Sequence, residues 1–315
     1  MGKGSFRTIS RRGIQWLECA PAAHRNWVLH AFSTRAGGAG RAPASGLNLG
    51  FTPGSAPARV RENRRRFFAA LGAATYQLAE VHQTHSTLVY RVRRAGQAKL
   101  EYLPCGYPLS ESLPSRPQGD ALITDEPGIL LAVRSADCVP ILLFDPERHA
   151  VAAIHAGWKG MLGGIAEKTV GEMRRQFRSR PRTMLAIVGP SIRACCYEVS
   201  EDLATAFCGA FAEGERLVRK PPKGKFGSEL YPPPFLSLTP PGHGPEGAPR
   251  PHLDLVATAR YQLRRAGLAS SHIHVADFCT ACRTNLFFSH RKEGSHTGRM
   301  MTVIGIRPRA RQSRS

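Results

Sequence analysis

Cys138, His155 and the pair His82 and His85 are the side chains whose types and spacing could hold a metal ion. Two His and one Cys form a documented catalytic zinc set, with the fourth position kept for water. A zinc ion there lowers the pKa of its water to ~7, giving a nucleophile at neutral pH. Asp145-Pro146-Glu147-Arg148 is a turn signal between the apolar runs 139–144 and 151–155, since Pro presets φ and Asp can bond back to the backbone. With Pro146 and Glu147 at the centre of that turn, Cys138 and His155 stand directly opposite each other, Cβ atoms ~5 Å apart on one face. A loop two residues longer moves the pairing one step on the same face, whereas a one-residue change breaks it. His82 and His85 lie at i and i+3 before an apolar segment. On a strand they would point to opposite faces, so one of the two reaches a given metal.

The elements that must position these groups follow from periodicity. Residues 60–71 read as a helix, 86–92 as a strand, and 161–177 as one amphipathic helix. The runs ending at Val133, Phe144 and His155 read as strands, and 300–306 as a final buried strand. Strand-like and helix-like segments alternate without a fixed repeat, so the class is mixed α and β. Residues 213–252 interrupt this texture with Pro221-Pro222, Pro232-Pro233-Pro234 and Pro240-Pro241. Proline lacks the donor N–H of a sheet interior, so the segment reads as a surface insertion within one domain.

With 42% hydrophobic residues in 315, the chain can bury a substantial core. No run approaches the ~18 apolar residues of a membrane span. The eight cysteines are too sparse and irregular for a disulfide scaffold, which points to free thiols and a cytoplasmic setting. Cys279 and Cys282 form a Cys-x-x-Cys pair; without a second paired motif it reads as structural, and adjacent Cys195-Cys196 adds little. Lys and Arg number 44 against 23 acids, a net charge of +21. The arginines are scattered, so the excess reads as compositional bias that would also attract phosphate-bearing substrates, rather than as a nucleic-acid surface.

Ordered motifs then carry a resemblance. Gly119-Asp120-Ala121-Leu122-Ile123-Thr124, Ser135-Ala136-Asp137-Cys138-Val139-Pro140 and Ile154-His155-Ala156-Gly157-Trp158-Lys159-Gly160 resemble the signature of the laccase-domain, or polyphenol oxidase, family, described as multifunctional purine nucleoside phosphorylases. Phe32-Ser33-Thr34-Arg35, Leu47-Asn48-Leu49-Gly50, Tyr197-Glu198-Val199 and Phe288-Ser289-His290-Arg291 extend the match over most of the chain. The resemblance implies a single-domain α/β sandwich of mixed sheets flanked by helices. It places the family domain at 21–306, between a basic N-terminal segment 1–20 and a basic tail 307–315. It implies a zinc site, with copper as the other candidate metal, carried by His85, Cys138 and His155. Gln83-Thr84-His85-Ser86 resembles the family's Gln-Val-His-Ser stretch, which favours His85 over His82.

The activities so implied are phosphorolysis of adenosine, inosine, guanosine and methylthioadenosine, and deamination of adenosine. The partners are small purine nucleosides and phosphate. Asp137, next to a ligand, is the candidate acid/base. Arg35, Asn48, Lys159 and Arg291 are candidate phosphate holders, since cationic and helix N-terminal groups bind phosphate, with Arg35 and Arg291 also candidate catalytic residues. Alternatives are a cytoplasmic amidase editing peptidoglycan precursors, a laccase-like polyphenol oxidase, and a basic nucleic-acid-binding protein. Multicopper chemistry needs several His-x-His pairs, and only His272-Ile273-His274 fits.

Overall fold

In a computed structural model that describes residues 5–39, 46–96, 99–106, 116–219 and 250–308, two mixed sheets stack face to face with helices on both outer faces. The first sheet runs β1 (Phe6–Arg11), β2 (Ile14–Cys19), β3 (Val28–Ser33), β15 (Met300–Ile306), β8 (Ile129–Ser135), β4 (Gln77–Ala79). The second runs β14 (Ile273–Val275), β11 (Leu185–Val188), β9 (Val139–Asp145), β10 (Ala150–Ala156), β7 (Ala121–Thr124), β5 (Val89–Ala95), β6 (Lys99–Pro104). A two-stranded pair, β12 (Val218–Arg219) and β13 (His252–Leu253), stands apart from both. The layered α/β sandwich is the expected class. Strands β1 and β2, inside the expected basic N-terminal segment, belong to the first sheet. Residues 220–249 and 309–315, covering most of the Pro-rich insertion and the tail, lie outside the described residues.

Alternation along the strands assigns the layers. In β9, Val139, Ile141 and Leu143 join the cluster under the helices, while Leu142 and Phe144 join the one between the sheets. The outer helices over this sheet include α4 (Ile165–Phe177), α5 (Glu201–Ala210) and α7 (Leu255–Arg265). Helix α2 (Pro57–Leu71) covers the far face of the first sheet through Phe67, Ala70 and Leu71. Burial on both faces explains why the central strands read as continuous apolar runs. Short helices α1 (Ala20–Ala23), α3 (Trp158–Leu162), α6 (Gly214–Leu217) and α8 (His290–Glu293) complete the set.

Two expectations about the site's scaffold change. The hairpin turn holds four residues rather than two, because Asp145 pairs with Ala150. Its Oδ1 accepts the N–H groups of Glu147 at 2.8 Å and Arg148 at 3.2 Å, and His149 turns the chain with φ 49°. His155 therefore faces Pro140, and Cys138 falls one step further along the same face. The expected single helix over 161–177 is broken at Gly163-Gly164, where Gly164 takes φ 77°, a conformation glycine adopts without steric cost.

Candidate metal centre and cavity

Three neighbouring strands bring the chemistry together. Cys138 precedes β9, His155 is the sixth residue of β10, and Asp120 immediately precedes β7. Extending the β10–β7 register one step past Ile154 and Ala121 sets His155 beside Asp120, and the His155 N–H donates to the Asp120 carbonyl at 2.8 Å. Their side chains thus share a face. His155 Nδ1 lies 2.8 Å from Asp120 Oδ1. The other imidazole nitrogen, Nε2, is left toward Cys138.

His85 reaches this group from a loop, not from the strand expected there: β5 begins only at Val89. Two devices shape the loop. The Asp120 carboxylate accepts the backbone N–H groups of Thr84 at 3.2 Å, His85 at 3.1 Å and Ser86 at 2.6 Å, and the Ser86 hydroxyl at 2.7 Å. The Gln83 amide donates to the Arg134 carbonyl at 2.7 Å and accepts its N–H at 2.9 Å, copying a strand pairing at the end of β8. Held this way, His85 takes φ 60°, uncommon for a residue with a Cβ. Its Nε2 comes 3.7 Å from Cys138 Sγ, and its ring meets the His155 ring edge-on at 5.0 Å. Ligand atoms of His85, Cys138 and His155 all lie within 4.8 Å of one another, and His82 stays outside the group.

The electrostatics suit a cation. Burial pushes the Cys138 thiol up, but His155 and then His85 outweigh it and hold the thiol at about 6. Burial pulls His155 down, yet the Cys138 thiolate and Asp120 raise it to about 9. Each partner thus favours the charged form of the other, thiolate against imidazolium. Burial raises Asp120, and its bonds to His155 and Ser86 more than offset this, so it stays a carboxylate. A carboxylate behind a ligating histidine fixes the tautomer and orients the ring. The donor set, its second layer of hydrogen bonds and its missing fourth protein ligand all fit a catalytic zinc or similar transition metal.

The group sits on the wall of a cavity of about 530 Å3, which Trp158, Ile192, Tyr197, Arg134, Arg291 and Arg299 also line. Asp137 is on that wall with φ 94°. Its Oδ1 accepts from the Thr280 hydroxyl at 2.6 Å and its Oδ2 from the Arg291 N–H at 2.7 Å. Both oxygens are engaged in holding the chain.

Of the four expected phosphate holders, Arg291 alone lines the cavity. Its guanidinium donates to the carbonyls of Cys196 and Glu198, over the Tyr197 ring. Arg35 instead binds the Thr284 carbonyl at 2.6 Å and Glu293 at 2.9 Å, stacked on Phe288. Asn48 is buried, its Oδ1 accepting the N–H groups of Gly50 and Arg299. Lys159 is exposed, with its ammonium beside the Trp158 ring. Sequence reasoning missed Asp120, Gln83, Arg134, Arg299 and His290. Asp120, Gln83 and His290 stood inside quoted motifs and Arg299 ends the family-like stretch Thr297-Gly298-Arg299, but none was given a role; Arg134 sat among many scattered arginines.

The family described as multi-copper polyphenol oxidoreductase laccase matches residues 29–307. The chain belongs to that family. Among curated proteins, purine nucleoside phosphorylase of Deinococcus radiodurans is 36% identical over 91% of this chain and 92% of that protein. Adenosine deaminase RL5, from an unknown prokaryotic organism, is 34% identical over 88% of this chain and 93% of that protein. The crystal structure of YlmD from Geobacillus stearothermophilus superposes with a TM-score of 0.73 at 30% identity, covering 97% of this chain and 100% of that one. The laccase-family fold is therefore shared along the whole sandwich. Among the described residues no helix is long and apolar enough to cross a membrane.

Proposed function

We propose that this chain is a zinc-dependent purine nucleoside phosphorylase acting on adenosine, inosine, guanosine and methylthioadenosine, with deamination of adenosine in the same cavity. The reading is carried by the two-histidine, one-cysteine group on the wall of a 530 Å3 cavity that also carries three arginines. That volume lies within the ~300–1,000 Å3 of small-molecule sites. Relatives named purine nucleoside phosphorylase and adenosine deaminase support it.

His85, Cys138 and His155 would hold the metal, which when bound supplies Lewis acidity and a water ionised near neutral pH. Asp120 retains the Nδ1 proton of His155 and so keeps Nε2 free for ligation. Trp158 and Tyr197 offer aromatic walls to the purine. Arg134 and Arg299 join Arg291 as the phosphate holders, in place of Arg35, Asn48 and Lys159. In phosphorolysis a phosphate oxygen bonds to C1′ while the C1′–N9 bond breaks. Its electron pair goes to the purine, which takes up a proton. His290, on the cavity wall and outside the ligand group, is the proton donor in this reading, and Asp137 positions Arg291.

Incubating purified protein with inosine or adenosine, with and without phosphate, tests the reading. Base release should require phosphate and disappear in Cys138→Ala. Phosphate-independent release, or full activity in Cys138→Ala, would refute it.

A further inference from the structure

A second cluster of soft ligands lies apart from the first. Cys195 and Cys196, in the loop after β11, meet Cys279 and Cys282, in the loop after β14, and all four sulfurs lie within 4.8 Å of one another. The partner motif that the Cys-x-x-Cys pair lacked is thus the adjacent pair 84 positions earlier in Cys195, counted from Cys279. Cys195 Sγ is 3.8 Å from Cys196 Sγ and 3.6 Å from Cys282 Sγ, and Cys196 Sγ is 3.3 Å from Cys282 Sγ.

We propose that Cys195, Cys196, Cys279 and Cys282 form a separate structural metal site holding one Zn2+ ion. The spacing carries the argument. Zinc–thiolate bonds of ~2.3 Å in a tetrahedron place the sulfurs roughly 3.8 Å apart, close to the separations here. A disulfide needs ~2.05 Å, and all four cysteines are free. Nor is this a packing cluster, since Cys195 and Cys282 are exposed. Four thiols without a carboxylate or imidazole favour a soft, tetrahedral ion, and four protein ligands leave no position for substrate. Each thiol gives up its proton to solvent as the ion binds, so binding strengthens with rising pH.

The backbone is already arranged for such a clasp. Ser191 and Cys279 pair as an isolated parallel bridge, and the Thr280 N–H donates to the Ser191 carbonyl at 3.1 Å. The clasp would join the loop that supplies Ile192 and Tyr197 to the cavity and the loop that hydrogen-bonds Asp137 on its wall. Thr280, between the two cysteines of one loop, donates to Asp137 beside Cys138, and Tyr197 follows Cys196 directly. The ion would thus brace the loops that hold Asp137 and Tyr197, both on the cavity wall, without touching substrate.

Native mass spectrometry with elemental analysis, on full-length protein purified under reducing, anaerobic conditions, tests it. Wild type should carry about two metal ions per chain, and Cys282→Ser and Cys138→Ala about one each. Cobalt titrated into the metal-stripped protein should give the strong near-ultraviolet charge transfer of a tetrathiolate in both wild type and Cys138→Ala. That second readout decides the matter if Cys282→Ser does not fold. A wild type that carries only one ion and a Cys138→Ala variant that carries none, no tetrathiolate spectrum, or a disulfide mass deficit in place of the second ion would each overturn the proposal.

Discussion

Asp120 stands directly behind His155, its Oδ1 2.8 Å from the imidazole Nδ1, while the same carboxylate gathers the N–H groups of Thr84, His85 and Ser86. One side chain therefore sets both histidines: the first by a direct bond, the second by folding the loop that carries it. A single buried carboxylate with five donors is a strong constraint, because each bond to a charged group contributes about 1.5–3 kcal/mol and an unmade one costs similarly.

Asp120→Asn should accordingly loosen both histidines at once. The amide keeps one acceptor oxygen and turns its other end into a donor facing N–H groups. Metal affinity should fall roughly 10–100-fold, the range for lost partners behind metal ligands. Competition against a chromophoric chelator measures it; unchanged affinity would separate Asp120 from the ligand set.

Gly157 makes the approach of the ligands possible. A Cβ built there would lie 2.5 Å from His85 Cδ2 and 3.2 Å from Cys138 Sγ. Gly157→Ala must push the His85 ring away, and its loop can yield because His85 is exposed. The variant should keep a cooperative melt within about 1–2 kcal/mol of wild type, with overpacking at the low end of its usual cost. It should nevertheless lose the metal of the His85, Cys138 and His155 group, which elemental analysis alongside calorimetry reads directly.

Much of this was legible in the chain itself. The strand runs, the final strand Met300–Ile306 and the shared face of Cys138 and His155 follow from periodicity, since slipping a hairpin by a full step preserves the face. The turn length was not legible, because Asp145 caps a four-residue loop as readily as a two-residue one. Arg35 illustrates the larger gap. Its partners Thr284 and Glu293 lie some 250 positions away, and no local pattern announces a pairing at that separation. Cys195 and Cys196 meet Cys282 for the same reason, by tertiary topology alone.

The thiolate of Cys138 makes a pH prediction for metal-free protein. Its thiol is held at about 6, whereas burial drives Cys19 and Cys105 up to about 12. Alkylation needs the thiolate. In stripped protein, Cys138 should react at pH 7 and lose reactivity as pH falls through about 6. Added zinc should protect it. Peptide mapping after iodoacetamide treatment across a pH series identifies which thiol reacts; a midpoint near the ordinary thiol value would contradict the facing imidazoles as its cause.

The arginines give the sharpest contrast between sequence and structure. Arg35 is bound to Glu293 and two carbonyls and is absent from the cavity wall, whereas Arg299 lines it. Burial lowers the Arg299 guanidinium, with Cys138 and Asp137 opposing, so an anion entering the cavity would relieve a poorly solvated charge. Arg35→Ala should then cost stability, on the order of 2–4 kcal/mol for breaking a largely buried pair, while leaving the phosphate KM within about twofold. Arg299→Ala should raise that KM roughly tenfold or more, the equivalent of about 1.4 kcal/mol of lost binding, with a smaller change in melting temperature. Phosphate-dependence curves and thermal melts of the two variants, run together, decide it. Exchanged behaviour would return Arg35 to the phosphate site and remove Arg299 from it.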